Sequence, residues 1–380
     1  MGLAGWTSSG RCAPVWVGVA VLVSGMPVVG SAPASAQPPG SRADDLTITE
    51  FVIPTPNALP YHITTGSDGN LWFTERNANK IGRITPDGII SEFQVPTANS
   101  QPSGITTEPG GDVWFTETAG NRIGRIDQNG IITEYQLCGA AFEPERITFG
   151  PDGAVWFTGG RSNNIGRISP LGSYSQFPVP TPQSGAYTIT TGFDSNLWFA
   201  EMDANRIGRV TREGLFSEFG LPTANSRPRG IATGPDGAIW LTEDTANKIA
   251  TITESGSVTE FPIPTAHSTP ASITPGAVDV LWFTELTGNK IGQVTIDGDI
   301  TEIPISTRDA GPRGITNGPD GNIWFTEQNA SRIGRLNLPP PPQPELGAPA
   351  GPGIRPGRSV PAVASPDPVG AESATRCANH

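Results

Sequence analysis

The sequence predicts an all-β chain folded as a seven-bladed β-propeller with four-stranded blades, and three observations carry that expectation. Trp72, Trp114, Trp156, Trp198, Trp240, Trp282 and Trp324 stand 42 residues apart without slippage. Around each runs one frame: a Gly-containing turn, Trp-Phe-Thr-Glu, Asn-Lys or Asn-Arg, Ile-Gly-Arg, then Thr-Glu-Phe and Pro-Thr. A period of roughly 40–50 residues is the length of one four-stranded blade. The third observation lies at the ends. Residues 47–53 match the last strand of the frame, as in Ile132-Thr133-Glu134-Tyr135, with no other strand before them. The last copy, 313–338, has three strands and lacks the fourth. The first strand is therefore expected to complete the last blade, zipping the ring so that no strand edge stays open.

Taken in order, residues 1–36 read as a secretory leader. Arg11 gives a weakly basic start, 15–29 an apolar run, and Ala34-Ser35-Ala36 a small-residue cleavage site before Gln37. Ser24, Gly25 and Pro27 interrupt the run, too short and broken for a permanent membrane span. The mature chain is thus expected to be secreted, or periplasmic or extracellular. A polar lead-in, 37–45, precedes the propeller, 46–338. In the first full repeat the four strands are expected at 61–65, 71–75, 80–85 and 89–95. Asp-Gly and Asn-Gly dipeptides between them supply the positive φ of tight hairpins. Trp and Phe side by side point to opposite faces of the second strand, as a strand sandwiched between blades requires. After Leu338 comes a Pro/Ala/Gly-rich tail, 339–380, without apolar periodicity and expected to be disordered or polyproline II.

Net charge is −12 and the pI about 4.8. An acidic surface argues against nucleic-acid binding and against an anionic membrane as partner. Cys12, Cys138 and Cys377 leave at most one pair once the leader is gone, so a disulfide framework is not expected to hold the protein together. Whether Cys138 and Cys377 pair stays open, and the spacing is not that of a zinc site. A monomer is expected.

Residues that recur in register read as frame. The Glu of Trp-Phe-Thr-Glu occurs in six repeats (Glu75, Glu117, Glu201, Glu243, Glu285, Glu327), more often than catalysis needs. It is expected to join Asn79 and Lys80, or their equivalents, in a hairpin-capping network of hydrogen bonds and ion pairs. Arg83, Arg125, Arg167, Arg209 and Arg335 read as structural. The second Glu, at Glu92, Glu134, Glu218, Glu260 and Glu302, is expected to be a solvated charge on the outermost strand. Asp68, Asp152, Asp236 and Asp320 read as turn residues and not as a calcium site.

Chemistry in a repeat protein belongs where the repeats differ. The residue two before the first-strand Ile runs Tyr61, Ser103, Glu145, Tyr187, Arg229, Ala271 and Arg313, which places charges, phenols and a hydroxyl around one mouth. Such a ring suits a small polar or anionic molecule, with Tyr61, Ser103, Glu145, Tyr187, Arg229 and Arg313 as candidate binding residues. The third repeat departs furthest. Glu143, Glu145 and Arg146 precede its first strand, and Gly159-Gly160 replaces the usual Glu and its neighbour. Glu143 and Glu145 are the candidate catalytic pair. His62, one position beyond the mouth residue, is expected to point into the blade wall, and no Ser-His-Asp, Cys-His or phosphate-loop pattern is present.

The frame Gly-Pro-Asp-Gly-x-Ile-Trp-Phe-Thr-Glu, then Ala-x-Lys/Arg-Ile-Gly-Arg and Thr-Glu-Phe-Pro-Ile-Pro-Thr, resembles the streptogramin B lyase (virginiamycin B lyase) family over residues 46–338. The resemblance implies the seven-bladed fold. For members that inactivate the antibiotic it implies Mg²⁺-dependent opening of a cyclic depsipeptide at its ester by elimination, with proton abstraction α to a carbonyl. The family's site has Pro-His entering the second-last copy, where this chain has Pro270-Ala271. It has Glu-Pro-His entering the last copy, where this chain has Gly311-Pro312-Arg313. A Glu after the last Trp-Phe corresponds to Glu327. Both histidines are missing, and the nearest echo is Glu143-Pro144-Glu145.

Two functions are therefore carried forward. One is a secreted propeller binding a small molecule or another protein, with no cofactor called for and the tail as a possible spacer. The alternative is a carbon–oxygen lyase of the virginiamycin B lyase type, using Mg²⁺ and a site relocated to Glu143, Glu145, Arg229 and Arg313. Such an enzyme would confer antibiotic resistance.

Overall fold

The computed structural model describes residues 46–138 and 142–339. The expected leader, the lead-in to residue 45 and the tail beyond 339 lie outside these residues. The described residues hold twenty-eight strands and no helix, so none is long and apolar enough to cross a membrane.

β1 (Thr47–Val52) is followed by β2 (Pro60–Thr65), β3 (Leu71–Glu75), β4 (Lys80–Ile84) and β5 (Ile90–Gln94), which form the first blade in that order from the inside out. The pattern repeats five times. Inner strands are β6 (Pro102–Thr107), β10 (Pro144–Phe149), β14 (Ala186–Thr191), β18 (Pro228–Thr233) and β22 (Pro270–Pro275). The seventh blade is β26 (Pro312–Asn317), β27 (Ile323–Glu327) and β28 (Arg332–Asn337), completed by β1, with Thr47 opposite Asn337 and Val52 opposite Arg332. The seven inner strands pack neighbour to neighbour, and β26 lies against β2 to close the ring. This is the seven-bladed propeller that the repeat predicts.

The alternation in Trp-Phe-Thr-Glu explains the packing between blades. Trp72 faces blade 2, packing with Val95, Ile105, Val113 and Phe115. Phe73 faces the other way, with Leu71, Ile84, Trp324 and Ile333. Each fully buried aromatic contributes about 1.5–3 kcal/mol. The Gly of Ile-Gly-Arg is the floor under that ring, since a Cβ on Gly82 would lie 2.1 Å from the Phe73 ring. In six of the seven blades the indole N–H donates to a turn carboxylate, for example Trp156 to Asp152 at 3.0 Å and Trp324 to Asp320 at 3.0 Å. Asp68, Asp152, Asp236 and Asp320 are thus turn residues with a second task. The repeated Arg lies over the Trp ring, as Arg83 does over Trp72 at 5.3 Å.

Two expectations about the repeated acids need correction. Lys80 pairs with the second Glu, Glu92, at 3.1 Å, and not with Glu75. Glu92 also accepts from the Thr55 N–H, and in the next blade Glu134 accepts from both the N–H and hydroxyl of Thr97, each at 2.8 Å. The second Glu is therefore a clamp from an outer strand onto the loop arriving from the preceding blade. It is not a solvated edge charge. At the closure, Glu50 of β1 holds Thr307 and Arg332 in the same way. The first Glu is fully buried in all six copies, near the second Glu of its blade but with neither carboxyl oxygen in an ordinary hydrogen bond. Burial, with the neighbouring second Glu, pushes Glu75, Glu117 and Glu285 up to about 8. At neutral pH these carboxyls are largely protonated and form no ion pairs.

Candidate functional site

Each inner strand carries a register shift between its first residue (Pro, or Ala186 in blade 4) and its Ile, seen between Pro60 and Ile63 and in the other six. The two residues inside this bulge are the mouth residue and its follower. A bulge breaks the alternation of side chains and re-aims them. The Thr of Trp-Phe-Thr-Glu satisfies the backbone it frees. Thr74 Oγ1 accepts from the His62 N–H at 3.1 Å and donates to the Ser103 carbonyl of blade 2 at 2.9 Å. The same staple recurs at Thr116, Thr158, Thr242, Thr284 and Thr326. The mouth residues are thereby held on rigid elements.

Because of the bulge, the follower also reaches the channel. Arg146, at the position in blade 3 that His62 holds in blade 1, sends its Nη2 to the Tyr187 hydroxyl at 2.8 Å. Its guanidinium lies 4.8 Å from both the Tyr61 and Tyr187 ring centres. Arg146, which the sequence marks out with Glu143 and Glu145 in the divergent third repeat, thus joins the mouth cluster. In three other blades the follower is Gly, and a Cβ on Gly314 would lie 2.8 Å from the His62 Cα.

Four side chains close the channel from opposite sides: Tyr61, Arg146, Tyr187 and Arg313. Arg313 Nη2 donates to the Tyr61 hydroxyl and, at 3.1 Å, to the Tyr187 hydroxyl. The two phenol oxygens lie 3.2 Å apart. Arg229 is 6.0 Å from the Tyr187 ring centre and pairs with Asp244 at 3.4 Å. Tyr61, Arg146, Arg229 and Arg313 are buried, whereas Tyr187 and Glu145 keep partial access to solvent. His62 is desolvated beside Arg146 and Arg313, which together with burial drive its pKa down to about 3.

Beside this plug opens a pocket of about 300 Å³ lined by Gln101, Asn121, Glu143, Glu145, Arg76 and Arg161 among others. Glu143 pairs with the exposed Arg161 at 3.4 Å. Glu145 Oε2 accepts from Ser103 Oγ at 3.4 Å. The structure thus brings Glu143 and Glu145 into one pocket with Ser103 behind Glu145, and places Arg313 in the neighbouring plug with Arg229 beside it. Ala271 is buried and contributes no polar group to the mouth.

The break at Gly159 has a packing cause. Where other blades have Ala or Ser before the inner strand, blade 3 has Phe142, fully buried and 5.1 Å edge-on to Phe157. A Cβ on Gly159 would meet the Phe142 ring at 2.6 Å. The Phe occupies the volume that the Glu fills elsewhere, so this break records a volume exchange. Cys138, just upstream, is disulfide-bonded, and the other two cysteines lie outside the described residues.

Fold and mouth together define a seven-bladed propeller whose inner-strand bulges present a polar cluster. The Virginiamycin B lyase family model matches residues 35–145 and 137–339, and the chain belongs to that family. A virginiamycin B lyase from Staphylococcus aureus, solved as a crystal structure, is 42% identical with a TM-score of 0.75, covering 77% of this chain and 100% of that one. Another structure at 42% identity and TM-score 0.75, over the same shares of both chains, is a catalytically inactive variant of the Staphylococcus aureus enzyme. A histidine in it is replaced by alanine, and it was solved with quinupristin. A curated virginiamycin B lyase of Bacillus licheniformis is 44% identical over 43 residues, a match that spans 11% of this chain and 15% of that relative.

Among the described residues the mouth holds no preformed cage of acidic ligands for a magnesium ion. Magnesium takes about six oxygen ligands, most of them commonly water or substrate, with one or two carboxylates from the protein. Among the described residues no group of three or more His, Cys, Asp or Glu could hold a metal. The mouth offers Glu143, engaged by Arg161, and Glu145.

Proposed function

We propose that this protein is a binding propeller of the virginiamycin B lyase family that takes a small polar or anionic molecule at its mouth. One observation carries the reading. The two positions that the resemblance assigns to catalytic histidines hold Ala271, which is buried and apolar, and Arg313, which is committed to Tyr61 and Tyr187. The described histidines do not replace them, because His62 is buried with a pKa near 3 and His267 is exposed in a loop. The mouth keeps guanidiniums and hydroxyls suited to anions. Export follows from the leader reading, and cell fractionation of the full chain tests it. The ligand reading is tested by thermal melting of the full chain against peptides, sugars, phosphate, acetate and streptogramins. Absence of a shift across the whole set would sink it.

A second reading has its own support, namely that Glu143 and Glu145 share one pocket. It is a lyase with a relocated site, acting on a cyclic depsipeptide ester. Incubation with quinupristin and Mg²⁺, followed by mass analysis, decides it. A ring-opened product that disappears with Glu145→Ala supports that reading, whereas no product removes it.

A further inference from the structure

The Tyr61–Tyr187 pair is surrounded by hydrogen-bond donors rather than acceptors. Arg146 and Arg313 both donate to the Tyr187 oxygen, at 2.8 and 3.1 Å, and a guanidinium cannot accept a hydrogen bond. The Tyr61 oxygen already receives Arg313. One contact joins the two phenols, and one proton fills it. Among the described residues neither hydroxyl has another protein acceptor, and the pair is ringed by cations. The oxygen that receives two guanidiniums is where a negative charge is best placed. Tyr187 is also the phenol of the pair with access to solvent.

We propose that Tyr187 stands as a phenolate and is the proton acceptor of the mouth, so that a small weak acid binds there as its anion by handing its proton to Tyr187. The acid's O–H breaks and the Tyr187 O–H forms. The resulting anion then replaces the phenolate as counter-ion to the guanidiniums. This rests on the reading of the mouth as the ligand-binding end.

The charged and titratable groups around Tyr187 come from four other blades. They are Tyr61 and His62 on β2, Glu145 and Arg146 on β10, Arg229 on β18 and Arg313 on β26. Burial alone would raise a phenol, but the charges of Arg146, Arg313 and Arg229 outweigh it and bring Tyr187 down to about 7. Tyr61 moves the other way, raised by burial and then by its partner.

The chain has four tyrosines, which makes the test direct. The tyrosinate ultraviolet absorbance of the full-length protein is followed as pH rises, with and without inorganic phosphate and acetate. One tyrosine is expected to ionise near neutrality, well below the ordinary value of about 10. Tyr187→Phe should abolish that step. Arg229→Gln, which leaves both guanidinium–phenol bonds intact, should move it up by roughly one unit. Phosphate or acetate should raise the midpoint. Four tyrosines ionising together in the ordinary range would overturn the proposal, as would a neutral-range step that survives Tyr187→Phe. A midpoint that neither anion moves would overturn the proton-acceptor role. The melting screen above reports on the mouth reading separately, since it does not depend on the charge of Tyr187.

Discussion

Phe142 and Gly159 show how one residue can be misread when only its identity is known. A Gly that replaces a repeated Glu looks like a cleared active site, yet the ring 2.6 Å from its missing Cβ shows an exchange of volumes. The exchange predicts strong coupling. Gly159→Glu should destabilise the fold by at least about 3 kcal/mol, through overpacking and an unpaired buried carboxyl. Phe142→Ser should cost about 3–5 kcal/mol for the cavity left. Combined, they should recover roughly 1–3 kcal/mol against the sum, read from denaturant midpoints. Simple additivity would remove the volume argument. Arg146 was hard to read for the opposite reason. The sequence placed it beside a mouth residue in the divergent repeat but gave it no role, because a bulge leaves no mark in a single repeat. A signal was present nonetheless. The follower is Gly104, Gly230 and Gly314 in three repeats and Thr188 or Ser272 in two more, so a long cation at Arg146 stands out from a position otherwise kept mostly small.

Among elements, the Thr of each second strand is the joint between blades, and blade 4 lacks it. There the frame reads Trp-Phe-Ala-Glu, with Ala200 fully buried. Ala200→Thr should therefore stabilise the protein by about 0.5–1.5 kcal/mol, by restoring a donor and an acceptor for backbone freed by the bulge. The converse, Thr284→Val, should cost about 1–3 kcal/mol, since it strands the Ser272 N–H and the Arg313 carbonyl. Urea unfolding of each variant checks both signs. Because Arg313 is a plug residue, Thr284→Val should also shift the tyrosinate midpoint if the staple positions the mouth. An unchanged midpoint would limit the staple to stability.

Over the whole molecule, the six buried carboxyls make stability fall as pH rises. Their folded values are raised, to about 7 for Glu243 and about 8 for Glu75, Glu117, Glu201, Glu285 and Glu327, from 4.5. Folding therefore takes up protons between these limits. The stabilisation is full below the unfolded value and is lost as pH rises through the folded values. Glu92, Glu260 and Glu302 are depressed, by their hydrogen bonds and lysines against burial, so their contribution is lost as pH falls through their folded values. Melting temperature should peak between about pH 4.5 and 7 and decline toward pH 9. A profile rising through this range would contradict buried neutral acids. The fold at this scale was legible because a strict 42-residue period, Asp-Gly turns and complementary end strands are local patterns. The protonation of the acids was not, because a repeated Glu reads the same whether it faces water or is sealed between blades.

The strand that completes the seventh blade sets an order of events. Thr47 pairs with Asn337, 290 positions later, so the first of the described strands has no partner until the last of them is made. Blades one to six each consist of consecutive strands and can assemble as they emerge. The ring has to wait, with β1 carried as an unpaired ribbon, and its docking should be the slowest step, because the distant ends must meet before any contact rewards them. Refolding followed by Trp324 fluorescence, which reports the blade that β1 enters, should lag behind the formation of the other six. The first described strand is then expected to be the last one placed.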